Sequence, residues 1–510
     1  AWTGPLPGPS KEYNYAYSVP NSGIYLIKDG KAIDEPGQML LIKNDPKYNE
    51  QWPRALVPYK RIYGIDEPPR LPFANNGKRS KHLPEGTPFG LVGTSSLYKR
   101  ESYPGGKVEK GSVTAAFAGW KGDPYEGQGS LCHEPEFRHW NYQGSEAGRY
   151  GNEDIHAIRI VAFEPTSDWQ RLLDGKRTFW NLVNERMRIL GEFPVRKFRR
   201  DPRASGVALA PRAQPLDPDG NPDTSFLAKI PADTPFTFQM LDKDGMVLTM
   251  AQTWHQVRPG EIRNNCGGCH AHSQKPTDFA LTAAAKADYA VWDLSKQTPL
   301  LTAKKNDQSG KKWDALDATG VRYVQGPLNV EYYRDIKPIL QRSCVACHTG
   351  KAEKPPAGLV LDDDQLMKGP HSFDGTDNGP HQQVPDTFFR LVMDREARFG
   401  PKPPFRHWGA VHGQLSRYVR LFQSRRSLLA WKIFGRRLDG WKNEDFAVEK
   451  VPGDAATLEY KGKPFKGDNR LIGLAYGGSI MPPPKAVKSG KVKPLTDEDR
   501  RTLVRWIDLG

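Results

Sequence analysis

Four of the chain's five cysteines stand in two copies of one pentapeptide, Cys266-Gly267-Gly268-Cys269-His270 and Cys344-Val345-Ala346-Cys347-His348. C-x-x-C-H is the attachment pattern for c-type haem. Its two thiols add across the porphyrin vinyl groups, and the two residues between them set their separation. The adjacent imidazole is then held at the iron as proximal ligand. The spacing predicts two covalent haems, so the chain has to fold around both. Zinc is the competing reading for the first copy, where Cys266, Cys269, His270 and His272 make a four-ligand set. The second copy has no nearby fourth ligand. Neither copy sits in a strand-to-helix unit of the kind a redox C-x-x-C occupies.

Attachment of haem c takes place outside the cytoplasmic membrane, so the expected location is periplasmic or extracellular. A start at Ala1 without a charged-then-apolar leader fits a removed signal peptide. No apolar run approaches the ~18 residues of a membrane helix, and an integral membrane protein is excluded on that ground. With 74 Lys and Arg against 59 Asp and Glu, the net charge is +15. Such a balance favours an acidic redox partner. The basic residues are dispersed and carry no nucleic-acid-binding signature, which argues against nucleic acid.

At 510 residues, with 49 Gly and 44 Pro, the chain is too long for one ordinary core and rich in loops. The expected class is α+β. A β-rich N-terminal region (1–150) and a β-rich middle domain carrying one haem (151–280) precede a linker (281–326) and a mainly α-helical, class I cytochrome c-like domain with a long insertion (327–510). Short strands are expected at Gly23 to Ile27 and Met39 to Ile42, and a buried strand at Ile158 to Phe163. Asp168 to Leu190 has helical spacing. Phe236 to Leu241, Asp242-Lys243-Asp244-Gly245 and Met246 to Met250 read as a β-hairpin, which leads to the first motif. Asp335 is expected to cap a helix with Pro338 in its first turn, delivering Cys344. Thr496 and Asp499 form a capping-box pattern before a helix that buries Leu503, Val504 and Ile507.

For the second haem, Met481 in the Ile480-Met481-Pro482 loop is the candidate distal ligand, with His412, His407, His381 and His371 as alternatives. A thioether opposite His348 would close the coordination shell and suit electron transfer. For the first haem, His255, His133 and His139 are candidates, and an open position is the other reading. Arg258 and Arg263 flank that motif as candidate propionate contacts, against a reading as plain surface arginines. Cys132, the odd thiol, has His133, Glu134, Glu136 and His139 around it and is a candidate metal ligand together with His272.

Trp254, Val257-Arg258-Pro259-Gly260-Glu261, Arg263 and the first motif together resemble the middle domain of the hydrazine synthase alpha-subunit family. Asp335 to Leu340, Gln423 to Leu429 and the Met-Pro loop resemble the cytochrome domain that follows it in many relatives. The resemblance implies a haem-bearing middle domain and a cytochrome c domain, without the family's N-terminal β-propeller. In the hydrazine synthases the middle-domain haem is catalytic: a Tyr four residues past the motif His binds iron, and that His joins an upstream Cys at zinc. Here Gln274 holds the Tyr position, while Cys132, with His270 or His272, matches the zinc pair. Three functions follow as expectations. The first is an electron-transfer dihaem cytochrome. The others are a haem oxidoreductase acting on a small nitrogen species or peroxide, and a haem-bearing subunit of a larger assembly.

Overall fold

The computed structural model describes residues 2–3, 22–30, 33, 35–45, 57–58, 60–61, 80–84, 86–98, 147, 150, 152–163, 187–196, 215–250, 254–264, 276–311, 319–368, 383–393, 418–419, 422–445, 448–450, 457–460, 462–464 and 476–510. Two compact units result, Ala1–Pro72 and Phe73–Gly510. In the first, β1 (Trp2–Thr3), β2 (Ser22–Leu26) and β3 (Leu40–Lys43) form an antiparallel sheet.

The second unit is layered. One four-stranded sheet holds β4 (Phe89–Thr94), β7 (Phe226–Pro231), β10 (Ile262–Arg263) and β11 (Trp292–Asp293), in the order β10-β4-β7-β11. The other holds β5 (Ala157–Phe163), β6 (Met187–Pro194), β8 (Phe236–Leu241) and β9 (Val247–Met250), in the order β6-β5-β8-β9, antiparallel throughout. The expected hairpin is β8 and β9, and Gly245 takes φ +83° in its turn, a conformation glycine adopts without steric cost.

Side chains alternate across a strand, so a strand with apolar residues on both faces must be covered on both sides. β5 does this. Ile158, Ile160 and Ala162 join Val92, Phe226, Ala228 and Ile230 of the other sheet in one apolar cluster. Ala157 and Val161, on the opposite face, belong to a second cluster with residues of the C-terminal helices, among them Leu340, Trp431, Leu503 and Ile507. Those helices are α1 (Lys337–Ser343), α2 (Asp386–Met393), α3 (Leu428–Phe434), α4 (Pro484–Lys488) and α5 (Asp497–Asp508). The class is therefore α+β, with sheet, sheet and helices in succession. No helix among the described residues is long and apolar enough to cross a membrane.

Three expectations need correction. Segment 281–326, expected as a linker, carries strands among its described residues. β11 pairs with β7, and β12 (Thr298–Ala303) pairs antiparallel with β13 (Thr319–Val324), burying Leu300, Leu301 and Val321 completely. Polar and Ala-rich composition hid two short strands. Residues of 151–280 and of 327–510 contribute to one apolar cluster. The end of the expected helix is the strand β6: Met187 and Ile189 pair with Phe163 and Val161, and tertiary pairing overrides the local periodicity. Residues 168–186 lie outside the described residues.

Asp335 is not a helix cap either. It lies within a single π turn, Tyr332–Ile336, that runs into α1, and its carboxylate accepts the Glu331 N–H at 2.7 Å. The capping box at α5 is present with both bonds made, and Leu503, Val504 and Ile507 are buried.

Candidate cofactor site around Cys344 and His348

α1 has Pro338 in its first turn, where the missing N–H costs nothing, and buries Ile339 and Leu340. Cys344 closes the helix, donating its N–H to Leu340 O at 2.8 Å. The next turn folds back on that residue. Cys347 N–H and His348 N–H both donate to Cys344 O, at 3.1 and 3.0 Å. Both thiols and the imidazole are thus fixed on one turn, and neither cysteine is in a disulfide.

His348 Nδ1 lies 3.2 Å from Leu359 O. A carbonyl can only accept, so the ring hydrogen sits on Nδ1 and the lone pair of the neutral ring on Nε2. Burial lowers the His348 pKa, opposed by the Leu359 and Pro356 carbonyls, and the ring is neutral at physiological pH. A neutral imidazole oriented through Nδ1 by a backbone carbonyl is the form that ligates a metal. Leu361 N–H returns to His348 O at 2.9 Å. Asp362 fastens the residues after the motif, accepting from Thr349 Oγ1 at 2.5 Å and Gly350 N at 2.8 Å.

Burial pushes the Cys344 thiol up to about 12, against the pull of Arg342 and with a smaller push from Cys347. No group of three or more His, Cys, Asp or Glu among the described residues is arranged to hold a metal ion. Two unbridged thiols and an imidazole with its lone pair on Nε2, in C-x-x-C-H order, are the donor set that fits a c-type haem. Cys344, Val345, Leu359 and Tyr476 all pack against the large helix-side core, so the motif and the start of the Met-Pro loop border the same apolar body.

Met481 is half-buried and donates its N–H to Lys432 O at 2.8 Å. Arg263 is engaged by the buried Glu261, with Nε at 3.0 Å and Nη2 at 2.6 Å from Oε1. Arg258 is 70 % exposed, with Nε 3.9 Å from Glu261. Its backbone N–H donates to the same carboxylate at 2.8 Å. Of the two, Arg258 has the guanidinium more open to an anion. His255 is half-buried, with its ring tilted against Phe236 and Phe238 at 5.9 and 6.2 Å. Cys132, His133, His139, Cys266, Cys269, His270, His272, Gln274, His371, His381, His407 and His412 lie outside the described residues.

Sequence reasoning missed a buried ionic group between the sheet β6-β5-β8-β9 and α5. Glu192 accepts from Arg159 Nε at 2.7 Å and from Arg505 Nη2 at 2.8 Å. Arg159 also reaches Gln239, and Gln239 in turn donates to Asp508 O, both at 2.7 Å. The Asp508 carboxylate accepts from Ser424 N, Ser424 Oγ and Val247 N. Burial pushes Glu192 up, but Arg505 and Arg159 outweigh it and hold its pKa at about 2. Asp508 goes the other way: burial raises it to about 6 despite Arg159 and the Ser424 and Val247 donors. The signal was available, since Arg159 and Glu192 are charged residues inside otherwise apolar strand runs.

Residues 217–271, which run into the first C-x-x-C-H copy, match the family model described as the hydrazine synthase alpha subunit middle domain. Hydrazine synthase subunit alpha of Kuenenia stuttgartiensis is 28 % identical over 405 residues, covering 72 % of this chain and 39 % of that protein. The chain thus spans about two-fifths of the length of the curated relative it matches. Among solved structures, hydrazine synthase of the same organism aligns over 84 % of this chain and 43 % of that one. The identity is 18 % and the TM-score 0.39.

Proposed function

We propose, for a chain that belongs to the hydrazine synthase alpha-subunit-like family, that it is a dihaem c-type cytochrome passing electrons between redox partners. Cys266 and Cys269 attach the first haem and His270 is its proximal ligand. Cys344 and Cys347 attach the second, with His348 proximal and Met481 distal (His412 is the alternative). Arg258 and Arg263 are assigned to the propionates, and Cys132 with His272 to a zinc ion near the first haem. A covalently held haem supplies one-electron redox chemistry. The observation that carries this reading is the turn at Cys344: two unbridged thiols, with His348 Nδ1 spent on Leu359 O and its lone pair left on Nε2. The +15 charge supports an acidic partner, and the haem chemistry supports an exported location.

Intact-mass measurement of the native polypeptide tests the assignment. A gain of two haem masses is expected, falling to one in a Cys344→Ser/Cys347→Ser variant. A bare polypeptide mass would overturn it. Met481→Ala is expected to abolish the weak near-red absorption band of a Met-ligated ferric haem.

A second reading rests on the family match at residues 217–271, which includes the first motif. A relative named hydrazine synthase points to chemistry on a small nitrogen species at an open first haem, within a larger complex. Stoichiometric carbon monoxide binding by one ferrous haem of the native protein would favour it. Two six-coordinate, low-spin haems would exclude it.

A further inference from the structure

The Met481 loop has a weakness built into its sequence. Upstream stand Gly477 and Gly478, the second at φ +74°, and glycine gives a loop conformational freedom that must be removed if a side chain is to be held still. Downstream stand Pro482, Pro483 and Pro484, which have no N–H to donate. Met481 N–H is therefore the last main-chain donor before Lys485. Whatever fixes the Met481 side chain has to grip the loop at Met481 itself and at the glycines.

One residue of α3 does both. Lys432 accepts the Met481 N–H on its carbonyl at 2.8 Å, and its ammonium donates to Gly477 O. The same ammonium lies 5.4 Å from the Tyr476 ring centroid. Two neighbours complete the bracket. Asn443 pairs with both backbone groups of Tyr476, donating to its carbonyl and accepting its N–H, each at 2.9 Å. Gly435, the left-handed residue that ends α3, leaves room for Ile480, whose side chain would stand only 3.0 Å from a Cβ there.

The geometry points to Lys432 as the positioning residue for Met481: it pins both ends of the stretch from Gly477 to Met481 to α3, and so presets the thioether for iron ligation. This inference rests on the assignment of Met481 as distal ligand of the second haem. α3 is anchored in the core through Leu428, Trp431 and Ile433, so the loop inherits the rigidity of the helix.

The test uses the native holoprotein and three variants. The near-red ferric band is first assigned by its loss in Met481→Ala. Lys432→Met removes the ammonium and keeps the main-chain bond to Met481. The Met-off population is then expected to rise about tenfold, the size of one charge-assisted hydrogen bond lost. The band weakens, and the carbon monoxide phase that Met481→Ala accelerates speeds up by a similar factor. Lys432→Arg, which still donates to Gly477 O, restores both. Asn443→Ala loosens the loop from the Tyr476 side and is expected to move the two readouts in the same direction. An assigned band with unchanged intensity and carbon monoxide kinetics in Lys432→Met and Asn443→Ala would overturn the positioning role alone. Absence of any band in the native protein that Met481→Ala removes would instead overturn the ligand assignment, and the inference with it.

Discussion

The sheet β6-β5-β8-β9 presents two faces made by the same strands, and they are held by different physics. Toward the other sheet the contact is apolar and aromatic. Phe193 stacks on Trp292 at 4.8 Å and meets Phe226 edge-on at 5.6 Å. Toward the helices the contact is apolar but centred on charge, with Arg159, Glu192, Arg505 and Asp508 each at most 2 % exposed. An apolar face tolerates many partners of suitable volume, whereas a buried guanidinium or carboxylate is stable only beside its complement. The charged face therefore specifies α5 as its cover, and it accounts for why the C-terminal helices and the sheets form one unit.

The largest expected effect comes from breaking the charged face. Glu192→Ala removes the carboxylate shared by two buried guanidiniums, leaving Arg505 with Glu498 and Arg159 with Gln239 and Asp508, and a loss of about 3 kcal/mol in urea unfolding is expected. Amide exchange in α5 should rise with it, because Arg505 is its link to the strand. Replacing Arg159, Glu192 and Arg505 together by apolar residues of similar volume should cost far less. If the triple variant were as unstable as the single one, the argument from unpaired charge would fail.

Phe193→Ala strikes the other face and should cost about 3 kcal/mol from lost burial and a residual cavity. Here exchange should rise in both sheets without singling out α5. A selective rise in α5 would erase the distinction between the faces.

The charged face should also carry the pH dependence. Asp508 has an ordinary pKa of 3.8 and a folded value of about 6, so between those pH values the folded state holds a proton that the unfolded chain has released. Its contribution to stability falls as pH rises from about 4 to about 6. Asp242, raised to about 6 by burial and by Asp244 against Arg425, acts in the same direction. Glu192 acts oppositely: its contribution is complete above 4.5 and is lost as pH falls toward 2. Asp508→Asn should about halve the decline in urea midpoint between pH 4 and pH 6. An unchanged slope would remove Asp508 from the account.

The smallest effect should come from the rim of α5. Thr496→Ala breaks the capping box and should cost about 1 kcal/mol, measured by thermal unfolding, with both faces of the sheet intact.

Much of this was legible from the chain. β5 announced itself as an apolar run broken only by Arg159, the β8–β9 hairpin by its Asp-Gly turn, and α5 by Thr496 and Asp499. These are local signals, complete within a few residues. β6 was misread because Met187 to Leu190 satisfies a helical period as well as a strand's, and only its pairing with β5 decides between them. β12 and β13 were missed because each is short, and their shared core appears only when they lie together. At the candidate site, the type and order of Cys344, Cys347 and His348 were plain, but the carbonyl of Leu359 that sets the imidazole tautomer comes from a loop no spacing rule connects to it.

The sequence alone supplied the chemistry proposed for this protein, because C-x-x-C-H places its two thiols and its imidazole within five consecutive residues. Tertiary structure decided which distant groups came to lie beside one another. Lys432 and Met481 are 49 positions apart, and Glu192 and Arg505 are 313 apart. Contacts of that kind exist only once the chain has closed on itself, because a local pattern records a residue's neighbours along the chain but not those brought beside it by folding.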